Sequence, residues 1–148
     1  MLPVQSIILK EIAILLPTLW LGVLIGISFI ATPVKFRAPS LTRPAALEVG
    51  RLTFRLFSRI EWGFAILVLG AVAAAERSAW PLSLAVLAAG LVALQSTWLL
   101  PALNRRVDMV IASGTSAPSG SHLGYSVTEG LKFLALLALV AAGIGHPV

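Results

Sequence analysis

Glu129 and Lys132 stand three residues apart in a mostly apolar run from Tyr125 to Ile144. That spacing puts them on one face of a helix together with Tyr125 and Thr128. An ionisable group in hydrocarbon costs ~2.5–3.5 kcal/mol even on lenient insertion scales, so it needs a partner or a function. If the apolar span begins at Tyr125, Lys132 lies about 10 Å along it by helical rise. That is deeper than an interfacial charge, although a lysine stem can snorkel part of the way out. Glu61 opens a second apolar run beside Trp62, and Arg59 precedes it. Gln95, Ser96 and Thr97 interrupt a third run one turn before Pro101, and Asn104 closes it. Acid, base, amide and hydroxyl groups of this kind can bind an ion or a small polar ligand. They can equally neutralise one another to hold helices in register. Both readings stand at this point.

The elements that must position these groups follow from composition. Of the 148 residues, 58% are hydrophobic and 11% charged, with a mean hydropathy of +0.96. Soluble chains carry roughly a quarter charged residues, so an ordinary soluble domain is excluded, and so is a disordered chain. About 20 apolar residues cross a hydrocarbon core of ~30 Å. Four segments meet that demand, about 12–32, 60–75, 80–103 and 125–144. They lack the alternating pattern of β-barrel strands. The expected fold is all-α: one domain, 1–148, forming an integral membrane four-helix transmembrane bundle. The first span is too long for a signal-peptide core and has the wrong charge flank, so it reads as a retained helix. Pro17 is expected to bend it.

Orientation follows from the basic residues. Eight of the eleven lie on two connections that share a side: Lys35, Arg37, Arg43, Arg51, Arg55 and Arg59 after span one, and Arg105 and Arg106 after span three. These connections should be cytoplasmic, with Arg77 and both termini outside. The net charge of +5 is then a matter of membrane orientation, and nucleic acid is not an expected partner. Three prolines, Pro33, Pro39 and Pro44, break the first connection, whose start should not be helical, while a helix is plausible again from Ala45. Arg51, Arg55 and Arg59 then form one basic stripe at i, i+4 spacing. The stripe suits anionic lipid head groups or a cytoplasmic partner, with Arg51 and Arg55 as the contacts. A four-residue turn, Glu76-Arg77-Ser78-Ala79, makes spans two and three antiparallel neighbours, and residues 113–121 read as a flexible polar loop. Gly22 and Gly26, like Ala71 and Ala75, form small-xxx-small steps that allow close helix packing, expected within the bundle rather than between copies.

On this topology Arg59, Glu61, Gln95, Thr97, Asn104, Thr128, Glu129 and Lys132 all fall in the cytoplasmic half. The outer half, Ala65–Ala75, Leu82–Leu94 and Phe133–Ile144, is nearly unbroken apolar sequence. Other chemistry finds little footing. The two histidines, His122 and His146, fall on opposite sides of the membrane and cannot share a haem. No carboxylate–histidine cluster suggests a metal, no glycine pattern suggests a phosphate loop, and Ser121-His122 lacks an orienting third group. Without cysteine there are no disulfides or thiolate sites. No cofactor is expected, and nothing requires an enzyme.

Three stretches resemble a known family. They are Phe29-Ile30-Ala31-Thr32-Pro33-Val34-Lys35-Phe36-Arg37, Leu100-Pro101-Ala102-Leu103-Asn104-Arg105-Arg106-Val107-Asp108 and Glu129-Gly130-Leu131-Lys132. Together they are similar to the transmembrane protein 205-like proteins and the bacterial four-helix proteins of domain of unknown function 4149. The resemblance implies four spans and no settled mechanism. It directs attention to Pro33, Phe36 and Arg37 alongside Asn104, Glu129 and Lys132.

Two function classes follow. The first is ion or small-molecule transport, or ligand handling, in a bacterial inner membrane. Arg59, Glu61, Gln95, Asn104, Glu129 and Lys132 would then line a vestibule open to the cytoplasm. Four helices make a thin wall for alternating access, so this reading implies a homo-oligomer or a membrane partner. The second is a non-catalytic subunit or assembly factor whose intramembrane charges are structural. A redox or haem protein is the weaker third.

Overall fold

The computed structural model describes residues 4–75, 79–113 and 120–145. Four long helices account for nearly all of them: α1 (Val4–Lys35), α2 (Arg43–Ala75), α3 (Ala79–Ser113) and α4 (Gly120–Ile144). Each contains the apolar segment expected of it and runs beyond. All four are long and apolar enough to cross a membrane. In lipid every backbone N–H and C=O must be satisfied internally, and a helix does this within one segment. The turn at Glu76-Arg77-Ser78, most of the polar loop after Ser113, and His146 lie outside the described residues, as does the side chain of His122.

The helices form a ring in which α1 packs on α2 and α4, and α3 packs on α2 and α4. Ring neighbours are antiparallel. Ile14 of α1 abuts Gly143 of α4, whereas Ser28 meets Glu129. On α2 and α3, Trp62 meets Ser96 and Arg51 meets Asp108. The lipid-facing surface carries large apolar side chains such as Leu15, Leu19, Ile66, Leu67, Val86, Leu134 and Leu137. The buried set includes Ala65, Val68, Val72, Ala85, Ala88, Val92, Leu136 and Leu139. Because lipid is as apolar as this core, close packing rather than water exclusion holds these faces together.

Two of the long helices each contain a π-helical segment, Ile25–Ala31 in α1 and Gln95–Leu99 in α3. Both are followed by a proline at the second residue of the next α-helical stretch, Pro33 and Pro101. A proline inside a helix lacks the N–H and pushes its ring against the carbonyl four residues back. A wider turn moves that carbonyl aside, and π-turns recur at functional positions. Thr32 N–H and Leu100 N–H accordingly donate five residues back, to Ile27 O and Gln95 O.

This corrects the expectation that the chain stops being helical at Pro33. The helix continues to Lys35 and ends in a turn at Phe36 and Arg37, with Arg37 N–H donating to Val34 O. The next helix starts at Arg43 rather than Ala45, with Pro44 in its first turn, where no N–H is needed. Thr42 Oγ1 accepts a long hydrogen bond from Ala45 N–H there. The chain also runs helically through Pro17, which is buried. The Gly22–Gly26 step departs from expectation too. A Cβ built on either glycine meets nothing within 4 Å, so this step packs on no other described part of the chain. Ala71 and Ala75 do join the core.

At 33 residues, α2 is about 50 Å long by helical rise, more than a bilayer core. Its first turns form a basic extension with the last turns of α3 and α1. Arg51 pairs with Asp108, and Lys35 Nζ occupies the space that a Cβ on Gly50 would need. Trp80 and Trp98 are both exposed. Eighteen residues of one helix separate them, about 27 Å by helical rise, which matches two interfacial aromatic belts around a core of ~30 Å.

Candidate functional site

Among the described residues, five polar or charged side chains are buried: Glu61, Gln95, Thr128, Glu129 and Lys132. All five are in one connected network. Lys132 is fully buried, and its Nζ lies 2.5 Å from Glu61 Oε1, 3.0 Å from Glu129 Oε2 and 2.6 Å from Gln95 Oε1. Those three partners match the three N–H groups of an ammonium. Its Nζ also lies 5.7 Å from the centroid of the Phe57 ring, within cation–π range.

Each helix contributes. From α3, the Gln95 amide donates to Glu129 Oε2 at 2.7 Å and to Thr128 Oγ1 at 3.0 Å. Its carbonyl oxygen accepts a hydrogen bond from Lys132 Nζ, which fixes the amide orientation. Thr128 in turn donates to a backbone carbonyl of its own helix. From α1, Ser28 Oγ donates to Glu129 Oε1 at 2.7 Å and Trp20 Nε1 to Glu61 Oε1 at 3.2 Å. Ser28 and Gln95 both lie in π-helical segments. The two wide turns therefore present a polar side chain to the same buried centre from two sides.

The network lies near the middle of the long helices, one turn inside the exposed Trp98. Glu61, Gln95, Glu129 and Trp20 are 14–16 residues from the ends of their helices at Ala75, Ala79, Ile144 and Val4, about 21–24 Å by helical rise. In that direction the interior is Ala65, Val68, Val72, Ala85, Ala88, Leu136 and Leu139, with no buried polar group among the described residues. Toward the basic end, Gln95 is one turn inside Trp98. There Tyr125 is buried edge-to-face on Phe54, with centroids 5.2 Å apart. Phe54 also lies under Lys35 Nζ, 5.5 Å from its ring centroid. Polar groups thus occur on one side of the network and an apolar plug on the other.

Of the residues singled out from sequence, the structure brings Glu61, Gln95, Glu129 and Lys132 together. It leaves two outside. Arg59 is exposed, because two residues along a helix turn it away from the face of Glu61. Asn104 is half-buried nine residues beyond Gln95, about 13 Å along α3. Arg51 is engaged by Asp108 and, at 3.6 Å, by Glu48, so the exposed part of the stripe is Arg55 and Arg59. Pro33 follows the α1 π-segment, while Phe36 and Arg37 are exposed at the helix end. Lys35 Nζ is 5.1 Å from the Phe36 ring centroid.

Sequence reasoning missed Trp20 and Ser28. A signal for Ser28 was present, since it stands five residues before Pro33 much as Gln95 stands six before Pro101. Nothing comparable marks the indole of Trp20. Among the described residues, no group of three or more His, Cys, Asp or Glu side chains is placed to hold a metal ion.

No curated protein and no solved structure matches the chain significantly. A family model does match, over residues 15–109. The matched stretch contains both π-segments, Trp20, Ser28, Glu61 and Gln95, and ends before Glu129 and Lys132. It lends no support to the narrower transmembrane protein 205-like label. With four membrane-length helices and a match over more than half its length, the chain is a multi-pass membrane protein belonging to the family described as "Domain of unknown function (DUF4149)".

Proposed function

We propose that this protein handles an ion or a small polar ligand at the Glu61–Gln95–Glu129–Lys132 centre, as part of transport across a bacterial inner membrane. The observation that carries the reading is the network itself. Three ionisable groups are drawn from α2 and α4 and hydrogen-bonded from α1 and α3. Intramembrane ionisable residues are costly and cluster where ions or substrates pass. The basic end, by the positive-inside rule, faces the cytoplasm and puts both termini outside. The buried centre would then be reached from the cytoplasmic side, with the Val68–Leu136 layer closing it outward. A ring of four helices is a thin wall for alternating access, so transport would need a second copy or a membrane partner. The exposed Gly22–Gly26 face is available for that contact. Arg55 and Arg59, with the partly shielded Arg51, would meet anionic lipid head groups. The role is binding and movement, with no chemical conversion of what is bound.

A second reading has its own support. Every Lys132 proton and the whole Gln95 amide are satisfied internally, as a purely structural clamp in a non-catalytic subunit or assembly factor would require. Native mass spectrometry of the protein released intact from its own membrane, beside Glu129→Gln, separates the two. A discrete added mass other than bulk lipid, lost in the variant, supports the ligand site. Bare protein, or the same protein complex in both samples, overturns it in favour of the clamp.

A further inference from the structure

Deepening the reading above, on which it rests, we infer that the Glu61–Lys132–Glu129 cluster binds one exchangeable proton, held on the Glu61 carboxyl and taken up from the basic end of the bundle. The cluster contains two carboxyl groups and one ammonium, each 0–3% exposed. The groups facing it are Trp20 and Ser28 from α1, Phe57 from α2, Gln95 from α3, and Thr128 and Tyr125 from α4. None of them supplies a positive charge. Arg59, the nearest cation in sequence, is exposed and points away. With all three groups ionised the cluster carries one excess negative charge in a low-dielectric interior, which is unfavourable. One proton brings it to zero.

The hydrogen bonds say which carboxyl takes it. Glu129 accepts from Ser28 on Oε1, and from Gln95 and Lys132 on Oε2. Both of its oxygens are supplied with donors, as an ionised carboxylate requires. On Glu61 the donors Trp20 Nε1 and Lys132 Nζ converge on the same atom, Oε1. Oε2 is the oxygen left to carry a proton. Lys132 directs its three N–H groups to Glu61, Glu129 and Gln95. Uptake adds one proton from water to Glu61 Oε2 and changes the cluster charge from −1 to 0. Release reverses it, and no other bond changes. The route is short only from the basic end. Gln95 lies one turn inside Trp98, and the Ser28, Thr128 and Tyr125 hydroxyls are on that side. In the other direction about 20 Å of helix carries apolar core.

The test is infrared difference spectroscopy of the full chain in lipid nanodiscs, acid minus alkaline. Wild type should show the C=O stretch of one protonated carboxyl that titrates, and Glu61→Gln should lack it. Removing the indole donor with Trp20→Phe should shift the band, because Trp20 bonds to the carboxyl that carries it. Ser28→Ala, which removes a donor from Glu129, should leave it in place. A band moved by Ser28→Ala and not by Trp20→Phe would assign the proton to Glu129 and overturn the inference. A wild-type spectrum without a titrating carboxyl would do the same. If Glu61→Gln fails to fold, the other two variants still decide. A ligand mass without the carboxyl band keeps the binding site and removes the proton, and a band without a ligand mass does the reverse.

Discussion

Glu61 and Lys132 meet across the diagonal of the bundle, Oε1 to Nζ at 2.5 Å, although their helices α2 and α4 are not neighbours in the ring. The Lys132 stem therefore crosses the centre, and this ion pair ties together two helices that share little other surface. Glu129, one turn from Lys132 on its own helix, adds a local partner at 3.0 Å.

Lys132→Met removes the cation and leaves two buried carboxyl groups facing each other. Breaking a buried pair by deleting one partner costs about 3–5 kcal/mol. Melting in a fixed detergent should show a loss of that order, partly recovered by adding Glu61→Gln. An unchanged melting profile would remove the pair from any role in stability.

The two carboxyl groups should differ. Glu129→Gln removes the carboxylate that Ser28, Gln95 and Lys132 all address and should cost a few kcal/mol. Glu61→Gln copies the shape of a protonated carboxyl and keeps an acceptor for Trp20 and Lys132. It should stay within about 1 kcal/mol of wild type, a net hydrogen-bond difference. Equal losses in the two variants would contradict this asymmetry.

Glycine substitutions test the packing. A Cβ on Gly143 would stand 2.6 Å from Ile14 Cγ1, a stiff branched side chain, so Gly143→Ala should cost about 1–3 kcal/mol. Gly22 has open space, and Gly22→Ala should be neutral or stabilising by about 0.5–1 kcal/mol in the isolated chain. Paired melting curves check both. A large loss at Gly22 that grows with protein concentration would reveal a packed partner there.

The Arg51–Asp108 pair lies in the basic extension, with the Asp108 side chain 63% exposed. A double-mutant cycle with Arg51→Ala and Asp108→Ala should give a coupling of only ~0.2–1 kcal/mol, reduced further by salt. A much larger coupling would mean that the extension is shielded from water.

Sidedness is directly accessible because the chain has no cysteine. Single cysteines at Arg37 and at Ala79 lie at opposite ends of the bundle. A membrane-impermeant maleimide applied to intact cells should label Ala79→Cys from outside and reach Arg37→Cys only after the membrane is opened. The opposite pattern would reverse the proposed orientation.

Fold and site were legible in the sequence to different depths. The four spans follow from run length alone, and the end-to-end asymmetry follows from where the arginines fall. Depth along a helix is a one-dimensional quantity, which is why Glu61, Gln95, Glu129 and Lys132 could be assigned to one level before any contact was known. The same reasoning failed for Arg59, which shares the level but not the direction. Asn104, which closes the third span, lies about 13 Å beyond Gln95 along the same helix and stays outside the network.

What the sequence by itself determined is the number of helices, their order, and the level at which each polar group sits. Only the tertiary structure decided which way each helix faces. In water, polar and apolar stripes reveal that direction; in lipid both faces of a helix are apolar, so the stripe is faint. The π-turns before Pro33 and Pro101 further shift the phase of what lies around them. Trp20 and Ser28 joined the site, and Lys132 found Glu61 across the bundle, for reasons of azimuth that no run of apolar residues records.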